Sequence, residues 1–504
     1  MKPRGSVRRI ARRTFPEIVL STHALTKVVS REVARGHLRK IGPRLYTTNT
    51  TDAPADIVRR NLWVLLGQIV PGAIVGYRTA LEGTPGPDGH VYLTGGYDRT
   101  VRLPGHAVHI ARGPGPLAGD APFVGALHLA SRERALLESV AAARRRGGAR
   151  RGITGRELEE RLERAFQIGG EPAINLLRDR ARTLAPDLRA EAAFARIDDV
   201  IGTLLGTRRA VATSPAALAR LAGRPYDAIR LPLFESLLAE LRTRPPLSRP
   251  DRDRDDEAWR HFAFFDAYFS NYIEGTEFEM GEAMGIIFDG KIPAGRPKDA
   301  HDILGTFRLL QDRASMAASV TAGDAEAFIA LLRERHARML GERPEVWPGE
   351  FKAEPNRAGE TVFVAPDLVL GTLQRGFEMM RALTDPFALA AFVMFLIAEV
   401  HPFTDGNGRV ARVFMNAELA AAGETRVLIP IVYRDDYLLA LRALSRQRRP
   451  AAFVAMLDRA QRFAGELDFR VLPRVTESLT ACGAFREPGE GKLRLPSEGA
   501  PRTA

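Results

Sequence analysis

"PFALAAFVMFLIAEVHPFTDGNGRVARVFMNAELAAAG", residues 386–423, sets an almost wholly apolar run, a short polar loop and a second helical pattern end to end. The run from Pro386 to Val400 follows Asp385 and is interrupted by Glu399, and it is shorter than the roughly 20 apolar residues that a membrane span needs. It reads as a buried core helix. His401 falls at the C-terminal edge of that helix, "DGNGR" forms a tight loop, and "VARVFMNAELAAAG" resumes helical periodicity. The expected layout is helix, loop, helix.

The loop carries the chemistry. Gly406 and Gly408 permit backbone angles that turn successive N–H groups inward, and the following helix contributes the positive end of its dipole. Together these make an anion-binding nest whose natural occupant is a phosphate. Asp405 sets a hard carboxylate oxygen beside the nest, which suits Mg²⁺ shared between one protein carboxylate and nucleotide phosphates. Arg409 and Arg412 lie three apart on the new helix and can reach further phosphate oxygens, and Asn407 can add a side-chain hydrogen bond. An imidazole is largely neutral at pH 7, so His401 can accept a proton from an incoming hydroxyl as general base. Pro402 stiffens the step after it, and Phe403 is expected to anchor the loop in the core.

"HPFTDGNGRVAR", residues 401–412, satisfies every specified position of the Fic motif, His-x-Phe-x-Asp/Glu-Gly-Asn-Gly-Arg-x-x-Arg, and the chain is identified as resembling that family. The resemblance implies an all-helical core and transfer of AMP from ATP to a protein hydroxyl, with pyrophosphate leaving. It assigns His401 as base, Asp405 to Mg²⁺, Gly406, Asn407 and Gly408 to the phosphates, and Arg409 and Arg412 to the outer phosphates. It also implies a β-hairpin flap that pairs with the target segment. "PGEFKAEPNRAGETVFVAP" fits that flap, with Asn356 to Gly359 as its turn and Thr361, Val362, Phe363 and Val364 as the docking edge. An ordinary surface hairpin is the alternative. Tyr437 occupies a position where the family often has a tyrosine near the nucleotide base, a core or capping tyrosine being the alternative.

Further upstream, "WRHFAFFDAYFSNYIEGTEF" places Phe262, Phe265, Phe269 and Tyr272 on one helical face, with Ala263, Ala267, Ser270 and Glu274 on a neighbouring one. Small residues let another element approach closely. Glu274, in the last turn before Gly275, faces the negative end of the helix dipole and calls for a cationic partner. "SNYIEG" also matches the Fic inhibitory pattern, Ser/Thr-x-x-x-Glu-Gly/Asn, through Ser270, Glu274 and Gly275. The resemblance implies that Glu274 pairs with Arg412 and forces ATP into an unproductive pose.

The rest of the chain frames this centre. At 504 residues it has room for two or three cores. A composition of 45% hydrophobic and 27% charged residues is that of a folded protein. The single cysteine, Cys482, excludes an intramolecular disulfide framework and a cysteine zinc site, and suits a reducing cytoplasm. No signal-peptide or membrane pattern is visible, and a cytoplasmic location is expected. The net charge of +12 is concentrated at one end, with 14 Lys and Arg against 4 Asp and Glu in residues 1–60, the footprint of a phosphate-backbone partner such as DNA.

There "STHALTKVVSREVARGHLRK" opens with capping candidates Ser21 and Thr22 and carries Leu25, Val28, Val29 and Val33 at near-helical spacing. Lys27, Arg31 and Arg35 are its candidate DNA contacts, and "HLRKIGPRLYTT" reads as a wing turning at Gly42-Pro43. A winged helix-turn-helix is expected, with a packing module as the alternative. Residues 10–210 diffusely resemble AbiEi-type antitoxins, which implies DNA binding and autoregulation. The expected division is residues 1–50 winged helix-turn-helix, 51–240 an α+β then helical region, 241–257 a Pro- and charge-rich linker, 258–475 the Fic domain with its inhibitory helix, and 476–504 a disordered tail.

The fold class is thus mainly α, an all-helical core with a β-hairpin flap behind an α+β N-terminal region. The expected activity is an autoinhibited protein adenylyltransferase using Mg²⁺ and ATP on a Ser, Thr or Tyr hydroxyl of a target protein, without membrane association and with room for a homodimer. The alternative is a transcriptional regulator or toxin–antitoxin component whose Fic site senses nucleotide or removes AMP; the intact His401 favours the enzyme.

Overall fold

The computed structural model describes residues 15–143, 151–208, 212–246, 248–251 and 255–499, and it divides at residue 218 into two compact units. In the first, strands Ile18–Leu20, Leu45–Thr47 and Arg39–Gly42 form a three-stranded antiparallel sheet in that spatial order. The expected hairpin is present, turning through Pro43 and Arg44, whose φ of 58° lies in the left-handed region. The expected helix begins later than the capping residues indicate. A 3₁₀ turn, His23–Leu25, comes first, the Thr22 side chain makes no cap bond, and the α-helix is Thr26–Ala34. Of its apolar residues only Val29 is buried, packing with Val19 and Leu38. Much of the basic leader, residues 1–14, lies outside the described residues.

A six-stranded mixed sheet follows, ordered Arg99–Leu103, His106–Arg112, His90–Gly95, Ile74–Val75, His128–Leu129 and Ala121–Pro122. Helix Pro54–Ile69 covers it through Ile57, Val58, Leu62, Leu65 and Leu66. Helices Arg132–Ala143, Gly155–Leu184 and Glu191–Leu204 then close a separate aliphatic core.

Among the described residues the second unit is helical apart from one hairpin and an isolated bridge between Pro250 and Glu424. Helix Pro386–Val400 is its axis: Asp385 caps it by accepting from the Ala388 N–H at 2.8 Å, proline fills its first position, and nearly all its side chains are buried. Helix Asn407–Ala421 packs against it after the polar loop, and helix Val369–Met380 comes so close that a Cβ on Gly376 would lie 2.2 Å from Leu396. The aromatic helix Asp256–Ile273 is buried on all sides rather than on one stripe. Phe262 and Phe265 meet Phe469, Phe264 meets Phe288, and Phe269 meets Phe485. No helix of the described residues is long and apolar enough to cross a membrane.

Two expected boundaries are corrected. Residues 241–257 do not separate domains: helix Leu231–Thr243 lies in the same core as the axial helix, with Phe234 against Phe392 and Phe395. The Pro-rich stretch is then stitched to that core, Arg249 bonding Asp458 and Gln461 and Pro250 bridging Glu424. Nor is the tail disordered through residue 499. Helix Leu472–Ala481 is followed by a segment whose Leu493 and Leu495 are buried, so two apolar anchors outweigh a Gly- and Pro-rich composition.

Because Phe234 is fully buried in the second unit's core, Phe234→Ala should lower stability by about 3–5 kcal/mol in urea unfolding. A linker residue would change it by less than about 0.5 kcal/mol.

Candidate active site

The axial helix ends by delivering His401 in the left-handed region, at φ 53° and ψ 59°. A non-glycine residue there is strained and persists because its surroundings hold it. Its Nδ1 lies 3.2 Å from the Ala398 carbonyl oxygen, and since a carbonyl only accepts, Nδ1 carries the proton. The lone pair therefore sits on Nε2. Burial is the main cause that lowers the pKa of His401 to about 4, with Lys352 acting in the same sense and Glu274 and Asp405 opposing, so the ring is neutral at pH 7. The ring of Phe363 lies flat on it, 3.7 Å between centroids and 3° between planes.

The loop holds its shape through Asn407. The Asn407 side chain accepts from the Phe403 N–H at 2.8 Å and donates to the Phe403 carbonyl at 2.9 Å, closing the turn on itself. Its carbonyl and one of its two amide hydrogens are thus used in closing the loop. Gly406 has φ 74°, and a Cβ there would lie 2.7 Å from Leu340. No side chain caps helix Asn407–Ala421, so its first-turn N–H groups remain open to an anion.

Asp405 is partly exposed, with 43% of its side-chain surface accessible. Arg409 approaches it at 3.4 Å and Arg343 at 3.7 Å. Among the described residues no group of three or more His, Cys, Asp or Glu side chains could hold a metal. A single open carboxylate at a helix N-terminus fits Mg²⁺ completed by nucleotide phosphates and water, and does not fit an all-protein cage. Arg409, expected from the sequence to hold an outer phosphate, has protein partners here. It is buried, paired to Asp302 at 2.6 Å and donating to Asn271 at 3.3 Å.

Arg412 and Glu274 meet as expected, at 2.7 Å. The Arg412 Nε donates to the Ser270 hydroxyl and Nη2 to the Ser270 carbonyl, each at 2.8 Å, while Nη1 donates to the Tyr437 hydroxyl at 3.2 Å. Glu274 also lies against the nest: a Cβ on Gly408 would fall 2.1 Å from its Oε1. Gly275 takes φ 90° just past it, which turns the chain away from the helix end. Tyr437 is 2% exposed and serves the Arg412 contact while also lining a cavity of about 380 Å³ with Glu274, Phe363, His401, Gly408 and Ser445.

The flap is shorter than expected and turns later. Arg357–Ala358 pairs with Thr361–Val362, so Gly359 and Glu360 form the turn. Asn356, placed in the turn by sequence, instead donates to the Phe403 carbonyl at 2.9 Å. Thr361 and Val362 form the strand, Phe363 covers His401, and Val364 is fully buried. Of the N-terminal candidates, Lys27, Arg31 and Arg35 are all exposed, and Arg35 pairs with Glu32.

Sequence reasoning missed four supports. Asp302 joins Arg409 to Arg343. His336 takes a hydrogen bond from the Gly349 N–H at 2.9 Å on Nδ1 and so donates from Nε2 to the Asp405 carbonyl at 3.0 Å. Lys352 donates to Asn356 at 2.6 Å, and Arg230 pairs with Glu399 and with the Val362 carbonyl. None sits near the motif in sequence, and no spacing rule marks them.

Residues 329–419 match the Fic/DOC family, so the chain carries a Fic domain. It is 28% identical over 187 residues to the protein adenylyltransferase fic-1 of Caenorhabditis briggsae, a match covering 36% of each chain. It is 31% identical over 178 residues to the protein adenylyltransferase Fic of Aedes aegypti, covering 34% of each. The chain thus spans about a third of the length of these curated relatives. Among solved structures, Fic-1 (aa134–508) from C. elegans aligns over 68% of this chain and 99% of that one, at 19% identity and a TM-score of 0.35.

The depressed pKa of His401 has a stability consequence. The unfolded chain takes up that proton near pH 6.5 and the folded one only near 4, so stability is lost as pH falls from about 6.5 to 4. In urea unfolding across that window, His401→Ala should show a pH dependence shallower by up to one proton.

Proposed function

We propose that the second unit transfers AMP from Mg-ATP to a hydroxyl of a target protein and that Glu274 restrains it. The observation that carries this reading is a neutral imidazole lining the same cavity as Gly408, in the first turn of the uncapped motif helix, with the Glu274 carboxylate beside that glycine. The resemblance of residues 329–419 and the names of the relatives support it.

In this mechanism the target hydroxyl gives its proton to Nε2 of His401 while its oxygen bonds to the α-phosphorus. The bond from that phosphorus to the bridging oxygen breaks, and pyrophosphate leaves. The first-turn N–H groups of Asn407 and Gly408 hold phosphate oxygens, and alignment with charge neutralisation provides most of the rate. Asp405 would hold Mg²⁺, which when bound supplies positive charge to the phosphates. Arg412 can take an outer phosphate only by exchanging Glu274 for it. Thr361 and Val362 would present the flap's main chain to an extended target segment.

Removing Glu274 leaves Arg412 bonded to Ser270 and Tyr437, so the fold should survive. Glu274→Gly should raise incorporation of label from α-³²P-ATP about tenfold or more, and no increase would refute the brake. In that background His401→Ala should lower incorporation by about 10²–10⁴-fold.

A second reading concerns the first unit. Lys27, Arg31 and Arg35 are exposed and one helical turn apart, beside a short hairpin. We propose that this winged-helix-like head binds DNA, as a cytoplasmic regulator in a toxin–antitoxin arrangement would. Electrophoretic shifts with the chain's own promoter should weaken with salt, and Lys27→Ala with Arg31→Ala should reduce that salt slope by about two phosphate contacts. Unchanged binding and slope would remove this helix as the contact.

A further inference from the structure

We infer that Phe363 is a positioning residue for His401, its ring and the Ala398 carbonyl together holding the imidazole in one orientation and one tautomer. The carbonyl fixes a single point of the ring, Nδ1 at 3.2 Å, and leaves the plane free to swing about that contact. A flat neighbour at 3.7 Å and 3° removes the swing. Nε2 is then the one nitrogen left for a substrate proton.

The flap that carries Phe363 is fastened independently of any target. The Phe363 N–H donates to the Asn356 carbonyl at 3.2 Å, and Asn356 donates to the Phe403 carbonyl inside the motif. The Lys352 N–H donates to the Pro402 carbonyl at 2.9 Å. On the other side Val364 is fully buried, and Arg230 ties the Val362 carbonyl to Glu399, two residues before His401. Phe363 is therefore set by the same loop and helix that set the base. The sequence gives it the look of a docking-strand residue, but its side chain faces inward.

The stack withholds water from one face of the ring, which disfavours the imidazolium. Lys352, Glu274 and Asp405 are the other charged groups acting on the ring, Lys352 opposing its protonation and the two carboxylates favouring it.

The catalytic consequence rests on the AMP-transfer reading; the positioning does not, and the test separates them. In full-length protein labelled with ¹⁵N-histidine, the His401 signals are identified by their loss in His401→Ala. They should show an Nδ1-protonated neutral ring at pH 7. Phe363→Ala should mix the tautomers and move the His401 titration up by about one unit or more, while Phe363→Tyr keeps both. In the Glu274→Gly background, Phe363→Ala should lower kcat for AMP transfer about tenfold, with KM for the target changed less than about threefold. The acid limb of its pH profile should rise with the titration, and Phe363→Tyr should restore both. An unchanged tautomer and titration in Phe363→Ala, or a rise in KM alone, would overturn the inference and return Phe363 to target docking. Shifted signals with no AMP transfer in any variant would uphold the positioning and refute the reaction.

Discussion

A buried guanidinium is costly to leave without partners, because an arginine keeps its charge at neutral pH. Arg412 imposes that constraint here. Its partners come from helix Asp256–Ile273, from Glu274 just beyond it, and from helix Arg434–Gln447, so a single side chain of the motif helix gathers two other helices around the cavity. Under the proposed brake, inhibition and assembly share this hub: Ser270 and Tyr437 would go on pairing Arg412 once Glu274 gave way to a phosphate.

The same logic extends outward to Asp405. Its carboxylate lies between Arg409 and Arg343, both anchored to the buried Asp302, and its carbonyl is held by His336. The motif loop is therefore shaped as much by residues 302–349 as by its own glycines. The two arginines that flank this carboxylate are themselves tied to Asp302.

Much of this was legible in the sequence. The apolar run marked the axial helix because all of its faces are covered, and the small residues on the aromatic helix marked the approach that brings Ser270 and Glu274 to Arg412. What periodicity cannot reveal is how a polar side chain spends its hydrogen bonds. Asn407 and Arg409 suit phosphate by type, and the sequence does not reveal that one also closes its own turn and the other also pairs with Asp302. Composition misled at residues 241–257 and in the tail for a related reason. A few buried anchors, Phe234, Leu493 and Leu495 among them, decide order irrespective of the prolines and glycines beside them.

The location of Glu274 at the C-cap of its helix, with Ser270 one turn earlier, has a thermodynamic consequence. Helix ends fray, and opening a terminal turn needs only a fraction of the free energy that unfolds a domain. Melting that one turn would withdraw the carboxylate and the hydroxyl from Arg412 together. The set-point of the proposed brake would then lie in the local stability of a helix terminus, a quantity that warming, a bound neighbour or a modified side chain can shift without disturbing the axial helix.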